Sequence, residues 1–264
     1  MRLLFETLLL ISLTDKIIGD YLDINECFVE LPNFELPTDT MGVESVEFKD
    51  DCLRACLRSQ LRGKPCTGVE HRPKDNSCVL SDKPGERQAP NTPKRGSYYE
   101  NVCARPPEGG RLEARLTGFR GGEGILELAQ RKGQNPKLLA IMTGLHENKD
   151  FHLIYMPDIE LSACFKPGMV NEHKGKKLIT IDSDSRGMAI QPWTDVDFHI
   201  LDDGVIDKVI IVVEAGTSNV VDCGKLQIHG NVSDWQRAMN GLDTIRVTVT
   251  QMIVVLVALL MIYV

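Results

Sequence analysis

The chain has 264 residues, which exceeds the ~100–200 typical of one domain and predicts two modest cores. Hydrophobic residues make up 42% and charged residues 25%, an ordinary globular composition. The formal net charge of -7 supplies no basic field to attract nucleic acid or an anionic membrane face, so nucleic acid is set aside as a partner.

Residues 1–19 read as a signal peptide: Met1-Arg2 is a basic start, Leu3 to Leu13 is mostly apolar with Glu6 as an interruption, and Ile17-Ile18-Gly19 precedes a cleavage point. The alternative, an N-terminal helix of a cytosolic domain, is disfavoured by eight cysteines, all beyond this segment, which suit an oxidising compartment.

Six of those cysteines (Cys27, Cys52, Cys56, Cys66, Cys78, Cys103) lie in one dense block, and Cys164 and Cys223 follow far downstream. In "FKDDCLRACLRSQL", Asp50 or Asp51 is the expected N-cap, and Leu53, Cys56, Leu57 and Leu61 recur at helical spacing, so Cys52 and Cys56 share one face. The segments around Cys66-Thr67-Gly68-Val69-Glu70 and Ser77-Cys78-Val79-Leu80 predict a hairpin. Bridges Cys52–Cys78 and Cys56–Cys66 would pin helix to hairpin without crossing, but six cysteines alone permit about 15 pairings.

The block resembles the PAN/apple family. The matching residues are Cys27, Asp51-Cys52-Leu53-Arg54-Ala55-Cys56-Leu57, Cys66, Cys78-Val79-Leu80 and Tyr98-Tyr99-Glu100-Asn101-Val102-Cys103. The resemblance covers 27–103 and implies an α+β disulfide-rich domain with the two nested bridges and a third, Cys27–Cys103. It also implies an extracellular protein or carbohydrate as partner. A zinc site on Cys52-x3-Cys56 is the rival, disfavoured by secretion and the even cysteine count.

"ARPPEGGR" predicts an extended linker over 104–110. Residues 111–230 are β-like throughout. "RLEARLTGF", "EGILELAQR", "KLLAIMTGL", "DFHLIYMP", "KKLITIDSD", "VDFHILDD" and "DKVIIVVEAG" predict seven or eight strands of a sandwich or flattened barrel, with "VIIVVEAG" the most buried. An immunoglobulin-like sandwich is the plain alternative, because Cys164 and Cys223 are 59 apart. Trp193, however, falls well after the first cysteine, and Cys164 has the context of a loop.

This unit resembles a copper/zinc superoxide dismutase domain. The resemblance rests on Gly144-Leu145 before Phe151-His152, on Asp158, Cys164 and Gly168 in order, and on "DSDSRGMAIQPW", "KVIIVVEAG" and "VDCGKLQIHG". It implies an all-β Greek-key barrel with a Cys164–Cys223 bridge anchoring a long loop. Carried over residue by residue, it places His152 at the first copper-ligand position, Ile154 at the second, Val170 at the third and Val213 at the fourth. For zinc, "MVNEHKGKKLITIDSD" offers only His173 and Asp182 or Asp184, and Val220 stands where the family has a guiding arginine. Copper and zinc sites need several fixed donors. The expectation is therefore a pseudoenzyme with no metal, cofactor or catalytic residue, in which His152 is a packed, hydrogen-bonded core residue. His146, His173, His199 and His229 are scattered, with His199 expected on the outer side of a strand. Asp202-Asp203 is expected in a turn before Gly204.

At the end of the chain, Met252–Val264 is 13 uncharged residues, about 20 Å of helix at ~1.5 Å per residue against a ~30 Å hydrocarbon core. With a polar spacer from Leu242 to Gln251 and small residues at Asn240-Gly241, the layout predicts a glycosylphosphatidylinositol attachment signal over 241–264 with Asn240 as anchor site. A membrane-spanning helix starting near Val247 and a buried terminal strand are the alternatives. Asn231-Val232-Ser233 is the standard N-glycosylation sequon. The reading is a secreted, cell-surface binding or adhesion protein, with a divergent metal-binding extracellular dismutase as the alternative.

Overall fold

The computed structural model describes residues 22–240 apart from 38–39, 90, 92, 119–120, 167–170, 172–173, 202 and 218. The expected signal peptide, the anchor signal, Gly168, Val170, His173 and Asp202 lie outside the described residues.

The N-terminal unit opens with helix α1 (Leu22–Glu26) and strands β1 (Phe28–Glu30), β2 (Phe34–Glu35) and β3 (Gly42–Ser45). Helix α2 (Lys49–Leu61) then leads to β4 (Gly68–Arg72), β5 (Ser77–Ser81), β6 (Glu86–Arg87) and β7 (Ser97–Asn101). The N-cap of α2 is Phe48, with extended backbone, rather than Asp50 or Asp51. Both acids sit inside the first turn, where their charge faces the free N–H groups of the helix start. The helix stops in a Schellman arrangement: Gly63, at φ +70°, donates to Gln60 O, and Lys64 N donates to Ser59 O.

One face of α2 buries Cys52, Leu53, Cys56 and Leu57 against a sheet of order β1-β7-β4-β5-β3. Disulfides join Cys52 to Cys78 and Cys56 to Cys66, fastening helix to hairpin, and Cys27 to Cys103, closing the ends of the unit. Cα separations of 5.0–5.3 Å suit all three bridges.

After a short 3-10 turn at Val102–Ala104, the chain runs through β8 (Gly110–Gly118), β9 (Glu123–Gln130), β10 (Lys137–Thr143) and β11 (Asp150–Met156). It continues through β12 (Lys176–Asp182), β13 (Ala189–Asp195), β14 (Val209–Glu214) and β15 (Val220–Ile228), and ends in helix α3 (Val232–Asn240). These eight strands form one antiparallel sheet of order β12-β11-β14-β15-β8-β9-β10-β13. The isolated bridge Ser183–Ala189 joins the two edges, so the sheet is a nearly closed barrel. β10 neighbours β13, and β11 neighbours β14, so the β10–β11 and β13–β14 connections cross between non-adjacent strands.

Period-2 alternation fills the interior with Leu112, Leu116, Leu126, Leu138, Phe151 and Val212, among others. β14 is buried at five of its six positions because both of its faces are covered. "VDFHILDD" departs from the expected strand. Residues 196–200 form a loop over the barrel end, with Phe198 and Ile200 dropped into the core. Gln130 holds that loop, its Oε1 accepting from Ile200 N at 2.8 Å. Asp203 opens a 3-10 turn, Asp203–Val205.

Candidate functional site

Strand β11 carries the residues that would mark a metal centre. Phe151 and Leu153 take the inward positions, so His152 and Ile154 face outward. Register pairs His152 with Val213 and Ile154 with Ile211 on β14, so three of the four positions that the resemblance assigns to copper ligands share one outer patch. His152 is not the packed core residue expected: it is half-exposed, with Nδ1 3.0 Å from Thr180 Oγ1 across on β12. The strand's alternation gave the interior to its neighbours.

Ile154 and Val213 are 3% and 1% exposed, in an apolar cluster with Met156, Val209, Ile211 and the Cys164–Cys223 bridge. That bridge, with a Cα separation of 6.6 Å, clips the loop after β11 over the cluster, and Val220 packs at its margin. Aliphatic side chains present no donor to copper or zinc, so the first coordination shell does not fit a metal here.

The two candidate zinc donors serve other purposes. Asp182 lies opposite Asp150 in the β11–β12 register, and its carboxyl is pushed up, first by burial and then by the Asp150 charge and hydrogen bond. Asp184 folds its own turn, Oδ1 accepting from Arg186 N at 2.8 Å and Met188 N at 3.0 Å, while Oδ2 pairs with Arg54 of α2. Among the described residues, no group of three or more His, Cys, Asp or Glu is arranged to hold a metal.

The other described histidines are apart. His146 pairs with Glu214, and His199, exposed in a loop rather than on a strand, approaches Gln130 Nε2 with its Nδ1 at 3.2 Å. His229 reaches Glu113 Oε2 at 2.6 Å.

Two concave regions flank the clipped loop. A cleft of ≈ 580 Å³ is lined by Asp158, Glu160, Asp207, Lys208 and Lys225, among others. Its neighbour, ≈ 300 Å³, has Glu113, Arg115, Lys225 and Gln227 on the outer face of β8 and β15 and His229 just past the end of β15, with Leu161 as a shared wall. Glu113 is the hub of this second groove, held by His229 and by Arg115 Nε at 2.8 Å. The sequence reading did not single these residues out, although the alternation in "RLEARL" already puts Arg111, Glu113 and Arg115 on one face.

Reading by residue type also missed Asp222. It is 1% exposed on the inner side of β15, its Oδ2 has no hydrogen-bond partner, and burial pushes its carboxyl up to about 6.

At the C-terminal end, Asn231 caps α3: its backbone O accepts from Asp234 N, and its Oδ1 accepts from Ser233 N at 3.0 Å. The residue is exposed, as an N-glycan acceptor must be. Asn240 is the exposed last residue of α3. Among the described residues, no helix is long and apolar enough to cross a membrane.

The architecture is therefore a disulfide-rich domain joined to an antiparallel, barrel-like sheet domain, and four disulfides suit an oxidising compartment. A family model described as PAN domain matches residues 27–103. The chain is also 35% identical over 252 residues to uncharacterized protein C34C12.7 of Caenorhabditis elegans, an alignment that covers 90% of this chain and 88% of that protein. The chain belongs to the family of that nematode protein, and the likeness runs through both units.

Proposed function

We propose that the protein is an extracellular, membrane-anchored binding or adhesion protein in which a barrel of the copper/zinc superoxide dismutase type serves as a scaffold without catalysis. The crossing connections of the barrel and the loop-to-strand bridge support that type. The observation that carries the loss of catalysis is the chemistry of the outer patch: Ile154 and Val213, at two ligand positions, are buried in hydrocarbon beside a lone His152. The PAN domain supplies the binding reading, with an extracellular protein or carbohydrate as ligand.

The purified, secreted chain tests it by metal content and superoxide consumption. Less than about a tenth of a copper or zinc ion per chain is the expected result. Near-stoichiometric metal together with superoxide consumption establishes the divergent dismutase instead.

Anchoring rests on the layout beyond α3, where ten residues of polar spacer precede a short apolar run that reaches about two thirds of the way across a hydrocarbon core. Phosphatidylinositol-specific phospholipase C is expected to release the protein from cells. Retention, under conditions that release a control anchored protein, decides for a spanning helix.

A further inference from the structure

Strands β9, β10 and the start of β13 are apolar on their outer side as well as inside. Ile125, Leu139, Ile141, Met188 and Ile190 are all 5% exposed or less and belong to one cluster with Leu53 and Leu57 of α2. The barrel face is thus covered by the PAN domain of the same chain.

Among the described residues, four polar contacts surround that apolar seam. Arg54 pairs with Asp184 and Asp51 with Arg186, each across the two units. Arg115 Nη1 donates to Leu61 O, at the end of α2, at 3.3 Å. Trp193 Nε1 on β13 donates to Cys103 O at 3.0 Å. Two of the four contacts use the β12–β13 turn, whose backbone is set by Asp184 Oδ1 so that Oδ2 is left to face Arg54. The Arg54 and Asp184 side chains are only 11% and 14% exposed, so either one without its partner is a poorly hydrated charge. A cleft of ≈ 150 Å³ beside them, lined by Asn25, Asp50, Arg54, Asp184, Ser185 and Arg186, keeps the pair at the rim of the seam.

We propose that the 183–188 turn and helix α2 form an electrostatic latch that holds the two modules as one rigid body. The turn that would carry a zinc donor in a metal-loaded barrel is a docking element here. This inference does not depend on the binding function or on the anchor.

The test uses the full secreted chain and two readouts: maximum dimension by small-angle X-ray scattering, and cleavage after the exposed Glu108 of the connector by a glutamyl endopeptidase. Arg54→Glu places two carboxylates face to face. It is expected to lengthen the particle and raise the cleavage rate by roughly tenfold, since cleavage follows the population of the open form. Asp51→Arg and Arg186→Asp are each expected to do the same more weakly, and their combination, which restores the pair with reversed sign, to return both readouts to the wild-type values. If Arg54→Glu is not secreted, the Asp51/Arg186 set decides. Single variants as compact and resistant as wild type, or a reversed pair no better than its singles, overturn the latch.

Discussion

Asp222 shows how a single residue sets a pH dependence in this barrel. Its side chain points inward on β15, where a Cβ added at Gly118 would come within 2.0 Å of Oδ1 and one added at Gly122 within 3.1 Å. Glycines on the facing hairpin therefore make room for the carboxyl. Burial raises its pKa from an ordinary 3.8 to about 6, so the folded state holds the proton more tightly than the unfolded one. The favourable contribution is complete below pH 3.8 and is lost as pH rises through about 6. At neutral pH the cost is up to ~3 kcal/mol, at 1.36 kcal/mol per pKa unit. Asp222→Asn, which keeps the neutral shape, is expected to be more stable than wild type at pH 7.5 and nearly equal to it at pH 3.5. Thermal unfolding of both proteins across that range checks the prediction, and a parallel pH dependence in the two proteins contradicts it. His152 is a contrasting case. Its link is one hydrogen bond to Thr180 on a half-exposed face, so His152→Gln is expected to change stability by no more than about 1 kcal/mol and to leave ligand binding intact. Alternation in "DFHLIYM" fixes that His152 and Leu153 face opposite ways, but which of them faces the core depends on closure of the barrel, which no local pattern in the sequence states. Asp222 was equally invisible, because a lone aspartate beside a cysteine carries no periodicity.

Among the elements, β8–β12 and β14 of the barrel and the α2–hairpin unit are legible from the sequence because most repeat a period against a face that must be buried, whereas β13 and β15 are not among the segments whose pattern predicts a strand. The loop at 196–200 was not. Its alternation of Val196, Phe198 and Ile200 matches a strand, and only Gln130, distant in sequence, shows that those residues plug an end of the barrel. The loop clipped by Cys164–Cys223 was legible as a loop from its prolines, but the apolar cluster beneath it was not. That cluster combines residues from β11, β14 and β15 with Cys164. A 59-residue separation constrains the unfolded chain by roughly 4 kcal/mol on the chain-entropy account. Cys164→Ser also leaves Cys223 unpaired beside Ile154, Ile211 and Val213. Secretion is expected to fall severalfold, and the midpoint of denaturant unfolding to drop. Secretion and stability equal to wild type would place the loop's anchorage in the apolar cluster alone.

At the scale of the whole molecule, two domains were predicted from length and cysteine density, with Ala104–Gly110 as a linker between them. The units share a core that no linker composition reveals. The clue in the sequence was the continuous apolar run in β10, "LLAIM", in a barrel strand expected to alternate. Ile141 makes the point testable. It points out of the barrel, its register neighbours are Ile125 on β9 and Ile190 on β13, and it is fully buried only because the PAN domain sits on it. In a barrel whose outer face met water, Ile141→Ala would cost little. Buried as it is, the change removes three methyl or methylene groups and leaves a cavity at the seam, for a loss of ~2–5 kcal/mol. The cost should appear in a single cooperative transition of the whole chain, because weakening a shared core lowers both modules together. Calorimetry of wild type and Ile141→Ala separates the possibilities. One transition that moves as a unit is the expected result, and a barrel transition that shifts while a PAN transition stays fixed would show that the seam couples nothing.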